Sequence, residues 1–209
     1  MSLEMALLLL PGLVIGLTVH EFAHAWSASL LGDDFPRRQG RVSLNPFRHL
    51  SFLGTLAIFL LPIGWGKPVQ VNLYNFKHPK RDYLITSLAG PLANLLLAGI
   101  CIALMQVTRL AYRHALPSHS AVIVLHYALM LVGTINIVLA TVNLIPIPPL
   151  DGSKIWLCLI PGLRPAFGRK ATWAFMVVLF ILFSTKWIQP LIRLVLDNVQ
   201  RIMPRLDGM

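Results

Sequence analysis

His20, Glu21 and His24 stand in the order His-Glu-Phe-Ala-His inside a run, residues 5–31, in which Glu21 is the only charged side chain. A helix places residues four apart on one face. The two imidazoles can therefore offer nitrogens to one metal ion, while Glu21 beside them can take a proton from a water molecule that the ion activates. This is the chemistry of metal-dependent hydrolysis. Chance is a poor source of the pattern, because seven histidines and only two glutamates give odds on the order of one in several hundred. Each ionisable group also costs roughly 2.5 kcal/mol or more to insert into lipid, so three within five positions mark a functional site.

A catalytic zinc takes three protein ligands and keeps one position open, so a third donor must lie elsewhere in the chain. Asp151 is the best candidate. It closes Asn143-Leu144-Ile145-Pro146-Ile147-Pro148-Pro149-Leu150-Asp151, where prolines break a helix and free backbone groups. At membrane depth, such groups are tolerated only around a cavity or inside protein. A surface turn is the other reading of that segment. His126 precedes Asp151 by 25 residues in a nearly continuous apolar run, roughly 37 Å at helical rise, and is too distant to share the ion. His49 and His78 stay open as alternative donors, while Asp33 and Asp34 read as solvated turn residues beside Gly32.

The elements that must position these groups are membrane helices. Of 209 residues, 56% are hydrophobic and 12% charged, with a mean hydropathy of +0.70, which excludes an ordinary soluble domain. Apolar runs cover residues 5–31, 50–65, 83–110, 121–147 and 171–196. All but the second exceed the roughly 20 residues that a spanning helix needs. The expectation is an all-α polytopic membrane protein, residues 1–209 forming a single membrane-embedded domain. It would have four spanning helices, a re-entrant or short membrane segment at 50–65, and a small β element on the active-site side. Re-entry at 50–65 follows from connectivity. If that segment crossed, Asp151 would reach the face opposite the end of the first helix, and one ion could not bind all three ligands.

Lysine and arginine exceed acids by ten. They cluster beside apolar runs and not along an aromatic-rich face, which argues for lipid headgroups and against nucleic acid. In the re-entrant topology Arg37, Arg38, Arg41, Arg48, Lys67, Lys77, Lys80, Arg81, Lys154, Arg164, Arg169 and Lys170 share the active-site side, whereas the opposite loop holds Arg109 and Arg113. That side is expected to be cytoplasmic, in the plasma membrane. Cys101 and Cys158 form no CxxC pattern and read as packing residues. Gly12, Gly16, His20 and His24 step by four along a close-packing stripe, and the small residues around Gly90 and Asn94 suggest a second helix seam.

His20-Glu21-Phe22-Ala23-His24, Gly90-Pro91-Leu92-Ala93-Asn94 and Asn143 followed by Asp151-Gly152 resemble the site-2 protease family of intramembrane zinc metalloproteases, as do the loops 40–46 and 65–69. The resemblance covers nearly the whole chain, in a minimal form without room for a PDZ or CBS insertion. It implies Zn2+ held by His20, His24 and Asp151, Glu21 as general base, and hydrolysis of peptide bonds in or near transmembrane segments of membrane-protein substrates. It implies for Asn143 a polar donor near the scissile carbonyl, a role that competes with a helix-to-helix hydrogen bond. A substrate helix must be extended before cleavage, and residues 67–73, which alternate apolar and polar, or 42–44 are expected to pair with it as strands. Trp173 and Trp187 would anchor a last helix whose movement admits substrate. A membrane metal-ion transporter using the same His, Glu and Asp residues is the alternative, and it requires ligands through both leaflets.

Overall fold

Glu21 apart, residues 5–31 carry no charge and present a backbone that lipid cannot hydrogen-bond, so helix is the only conformation that satisfies them locally. The computed structural model describes residues 3–51, 54, 66–113, 119–160, 193 and 197. Helix α1 spans Leu3–Leu30, the short α2 Phe35–Arg38, α3 Pro79–Arg113, α4 His119–Asn143 and α5 Asp151–Leu159. Single 3-10 turns lie at Pro46–Arg48 and Leu73–Asn75. Among the described residues, three segments are long and apolar enough to cross a membrane: Leu7–Leu30, Pro79–Arg113 and Ser120–Asn143.

These three helices are inside out relative to a soluble bundle. Thr18, His20, His24, Thr86, Ser87, Asn94, Thr108, His126 and Asn136 are buried, while Leu96 and Val124 are each 69% exposed. Polar groups that pair with one another inside and aliphatic groups that face outward suit a hydrocarbon solvent. The protein is an integral membrane protein. Small residues set the spacing: a Cβ on Gly12 would lie 2.5 Å from Ile135 Cδ1, and one on Gly16 2.6 Å from Leu139 Cδ1. The glycine stripe of α1 is thus the groove into which α4 packs.

The C-terminal half of α1 meets the N-terminal half of α3, since His24 bonds to the Thr86 carbonyl. The connection between them therefore starts and ends on one side of the bundle. Four spanning helices were expected and three lie among the described residues; 52–53 and 55–65 of the run expected to re-enter, and 171–196 except Arg193, fall outside them. So do Trp173 and Trp187. Of the expected β element, the described residues contain only the antiparallel bridge between Leu50 and Gly66.

Asp33 is not a solvated turn residue. It is fully buried, and its carboxylate accepts from Phe35 N–H at 3.1 Å, Asn72 N–H at 2.7 Å and Asn75 Nδ2 at 2.6 Å. Gly32, at φ 107°, turns the chain out of α1 so that Asp33 N–H reaches the Ala28 carbonyl. Asp34 does stay exposed, beside Arg37. The carboxylate of Asp33 thereby ties the exit of α1 to residues 72–75, which lead into α3.

Candidate metal centre

His20 and His24 lie one turn apart near the C-terminal end of α1, the latter six residues before Leu30 and so roughly 9 Å from that end. Asp151 opens α5. An acidic residue there suits the positive end of a helix, but this carboxylate turns toward α1. His20 Nε2 is 2.9 Å and His24 Nε2 3.0 Å from the same oxygen, Asp151 Oδ2, and the two nitrogens are 3.1 Å apart. A proton can join only two of three mutually adjacent atoms. One cation at their centre satisfies all three, and ligands about 2.0–2.1 Å from zinc stand roughly 3.3 Å from one another in a tetrahedron. The three side chains form a group that could hold a metal ion, all buried.

The other ring nitrogens are committed. His24 Nδ1 lies 2.6 Å from the Thr86 carbonyl on α3. His20 Nδ1 lies 2.6 Å from Asn94 Oδ1, and Asn94 Nδ2 donates to the Gly16 carbonyl at 3.2 Å and to Asn136 Oδ1 at 2.7 Å. Because the Asn94 amide N–H groups have these acceptors, its oxygen must face His20, which fixes Nδ1 as the protonated nitrogen and presents the Nε2 lone pair to the ion. Asn136 is held in turn by donating to the Val132 carbonyl at 2.8 Å.

Asn94 is thus more than the packing residue its spacing suggested, and Asn136 had no sequence signal beyond being a polar residue in an apolar run. Asn94→Ala is expected to bind metal 10- to 100-fold more weakly with the bundle still folded. Competition against a chelating dye measures this, and unchanged affinity would remove Asn94 from the centre.

Lys154 Nζ sits 2.7 Å from Asp151 Oδ1, occupying the second carboxylate oxygen. Asp151 therefore offers one oxygen to an ion, and a coordination position is spared. Burial pushes the Asp151 carboxyl up, while the Lys154 ammonium pulls it down, favouring the anionic form that a ligand needs. Gly152 lets α5 start here, since a Cβ would stand 2.3 Å from the Leu144 carbonyl oxygen. A Cβ on Gly90 would stand 2.4 Å from His24 Nε2 and 2.7 Å from His20 Cε1, so this glycine leaves the space in which the ligands meet.

Glu21 points to the neighbouring loops. Its Oε2 accepts from Val69 N–H at 2.9 Å and lies 3.8 Å from Arg41 Nη2. Asn143 Nδ2 donates to Leu139 O within its own helix at 2.9 Å, and Asn136 of the same helix bonds across to Asn94. Neither alternative histidine joins the centre. His49 is buried with Nε2 2.6 Å from the Ser43 carbonyl, and burial pushes its imidazole below the ordinary value despite that carbonyl. His78 starts the α3 region, where its backbone N–H donates to Asp82. His126 pairs with Thr108 Oγ1 at 2.8 Å between α3 and α4.

The family model described as Peptidase family M50 matches residues 110–185. YwhC of Bacillus subtilis (strain 168), named as a candidate zinc metalloprotease, is 38% identical over 174 residues, covering 83% of this chain and 78% of that protein. Rip2 of Mycolicibacterium smegmatis, also named as a candidate zinc metalloprotease, is 32% identical over 186 residues, covering 85% of this chain and 67% of that protein. No solved structure matches the chain.

Proposed function

The chain belongs to peptidase family M50, the site-2 proteases, and from that premise we propose that it is an intramembrane zinc metalloprotease acting on peptide bonds in or beside the transmembrane segments of membrane proteins. The observation that carries this reading is the convergence of His20 Nε2, His24 Nε2 and Asp151 Oδ2 below one end of the spanning bundle, with both Nδ1 atoms bonded elsewhere. Bound zinc supplies a Lewis acid that polarises a carbonyl and brings water toward ionisation near neutral pH.

The protein's own groups do the rest. Glu21 accepts the proton of the attacking water and returns it to the leaving amine. Asn143, at the end of α4 next to the turn that delivers Asp151, donates to the carbonyl oxygen once its amide exchanges the Leu139 carbonyl for substrate. Of the two segments expected to pair with an extended substrate, 42–44 is the better placed, since the Val69 and Asn72 N–H groups of 67–73 are committed to Glu21 and Asp33, and the basic residues gathered at this end face the cytoplasm at the plasma membrane. The transporter reading asks for ligands through both leaflets, and among the described residues the three-ligand group lies at one end only.

Purified protein is expected to cleave a single-span reporter, to stop when a chelator strips the metal, and to recover when zinc is returned. Cleavage that persists in protein shown by metal analysis to be zinc-free would reject the reading.

A further inference from the structure

Arg41 was legible only as one of many basic residues on the active-site side, yet its side chain is 5% exposed. Its Nη1 donates to the Arg48 carbonyl and its Nη2 to the Lys67 carbonyl, two loops 19 residues apart. The same Nη2 stands 3.8 Å from Glu21 Oε2. Lys67 is held on its other side as well, its N–H donating to the His49 carbonyl at 2.6 Å, next to the bridge between Leu50 and Gly66. Two residues on, Val69 N–H meets Glu21 Oε2 at 2.9 Å. Pro68, between them, has no N–H to donate and narrows the backbone choices of the segment.

We propose that Arg41 is the positioning residue for Glu21: by gripping the Lys67 carbonyl it sets the Val69 N–H against one carboxylate oxygen and leaves the other free to receive a proton. The proposal rests on the reading of Glu21 as general base. A planar fork is needed, because two carbonyls on separate loops must be met in fixed directions while the positive charge stays beside the acid. An ammonium at the end of a flexible stem supplies the charge and not the fork. Glu21 in turn compensates a guanidinium that burial would otherwise leave costly.

The test compares Arg41→Lys and Val69→Pro with the wild type in the full-length, zinc-loaded protein. Val69→Pro deletes the donor to Glu21 while leaving Arg41 in place. Both variants are expected to keep stoichiometric zinc and a reporter KM within about twofold of wild type, and to lose about 10- to 10²-fold in kcat. Amide exchange across residues 66–72 is expected to quicken in Arg41→Lys. Wild-type kcat in either variant overturns the proposal. So does a rise in KM alone, which places Arg41 in substrate binding, or a joint loss of zinc and kcat in Arg41→Lys, which makes it a folding residue. Turnover by Glu21→Gln separates the two levels of argument. If that variant is active, the general-base reading has failed; if it is inactive while Arg41→Lys turns over normally, only the positioning role has.

Discussion

Glu21→Gln is expected to keep its zinc and to lose about 10²- to 10⁴-fold in kcat, the range that a positioned proton acceptor supplies. The two halves of this result come from different atoms. Zinc content depends on His20, His24 and Asp151, whose orientation is set by Asn94, Thr86 and Lys154, none of which bonds to Glu21. The replacement amide retains an oxygen that can accept from Val69 N–H, so the loop over the site keeps its main anchor. What disappears is the negative charge and with it the basicity. Arg41 loses its acidic neighbour but still donates to the Arg48 and Lys67 carbonyls, so the fold is expected to hold. Metal analysis beside single-turnover cleavage of the reporter checks both halves. Full turnover would discard Glu21 as the base, whereas loss of zinc would mean that the carboxylate has a structural duty these contacts do not contain.

The parts of this site legible in the sequence are those governed by local periodicity or by gross topology. His20 and His24 are i and i+4 in an uninterrupted helix, so their shared face follows from helical geometry alone. Asp151 could be assigned because only one path of helices brings a second polar stretch to the same side. The supporting residues have no such rule. Asn94 meets His20 across 74 positions and Asn136 across 42, and either amide alone reads equally well as a packing residue. The cost of burying an amide in an apolar helix was the available signal, and it applies to Asn136 as much as to Asn94. Arg41 and Asp33 misled for the opposite reason. Charged residues in loops beside a membrane usually face water, and nothing local shows that one grips two carbonyls and the other collects three donors. The alternation in 67–73 suggested a strand, but Val69 N–H goes to Glu21 and Asn72 N–H to Asp33, so the backbone groups that a ladder would use are spent on side chains.

Gly90→Ala tests the site from the side of the scaffold, and here local propensity and packing predict opposite signs. Alanine is the better helix former and lowers the entropy of the unfolded chain, so an unhindered glycine in a helix should tolerate it or gain from it. Gly99 is that case: it lies in the same helix, and an added Cβ meets nothing within 4 Å. At Gly90 the methyl would press 2.4 Å from His24 Nε2 and 2.7 Å from His20 Cε1. Neither ring can yield without giving up the bond that aims it, to the Thr86 carbonyl for one and to Asn94 for the other. Nor can α3 retreat freely, because Asn94 on its same face is bonded to the Gly16 carbonyl and to Asn136. The displaced atoms are the ones that must hold the ion, so zinc affinity is expected to fall about 10²-fold or more in Gly90→Ala. Gly99→Ala should bind zinc as the wild type does and unfold at the same or a higher temperature. Dye competition for zinc with thermal unfolding of the two apoproteins makes the comparison. Equal zinc affinity in both variants would show that the ligands meet with room to spare, which the contacts around Gly90 rule against.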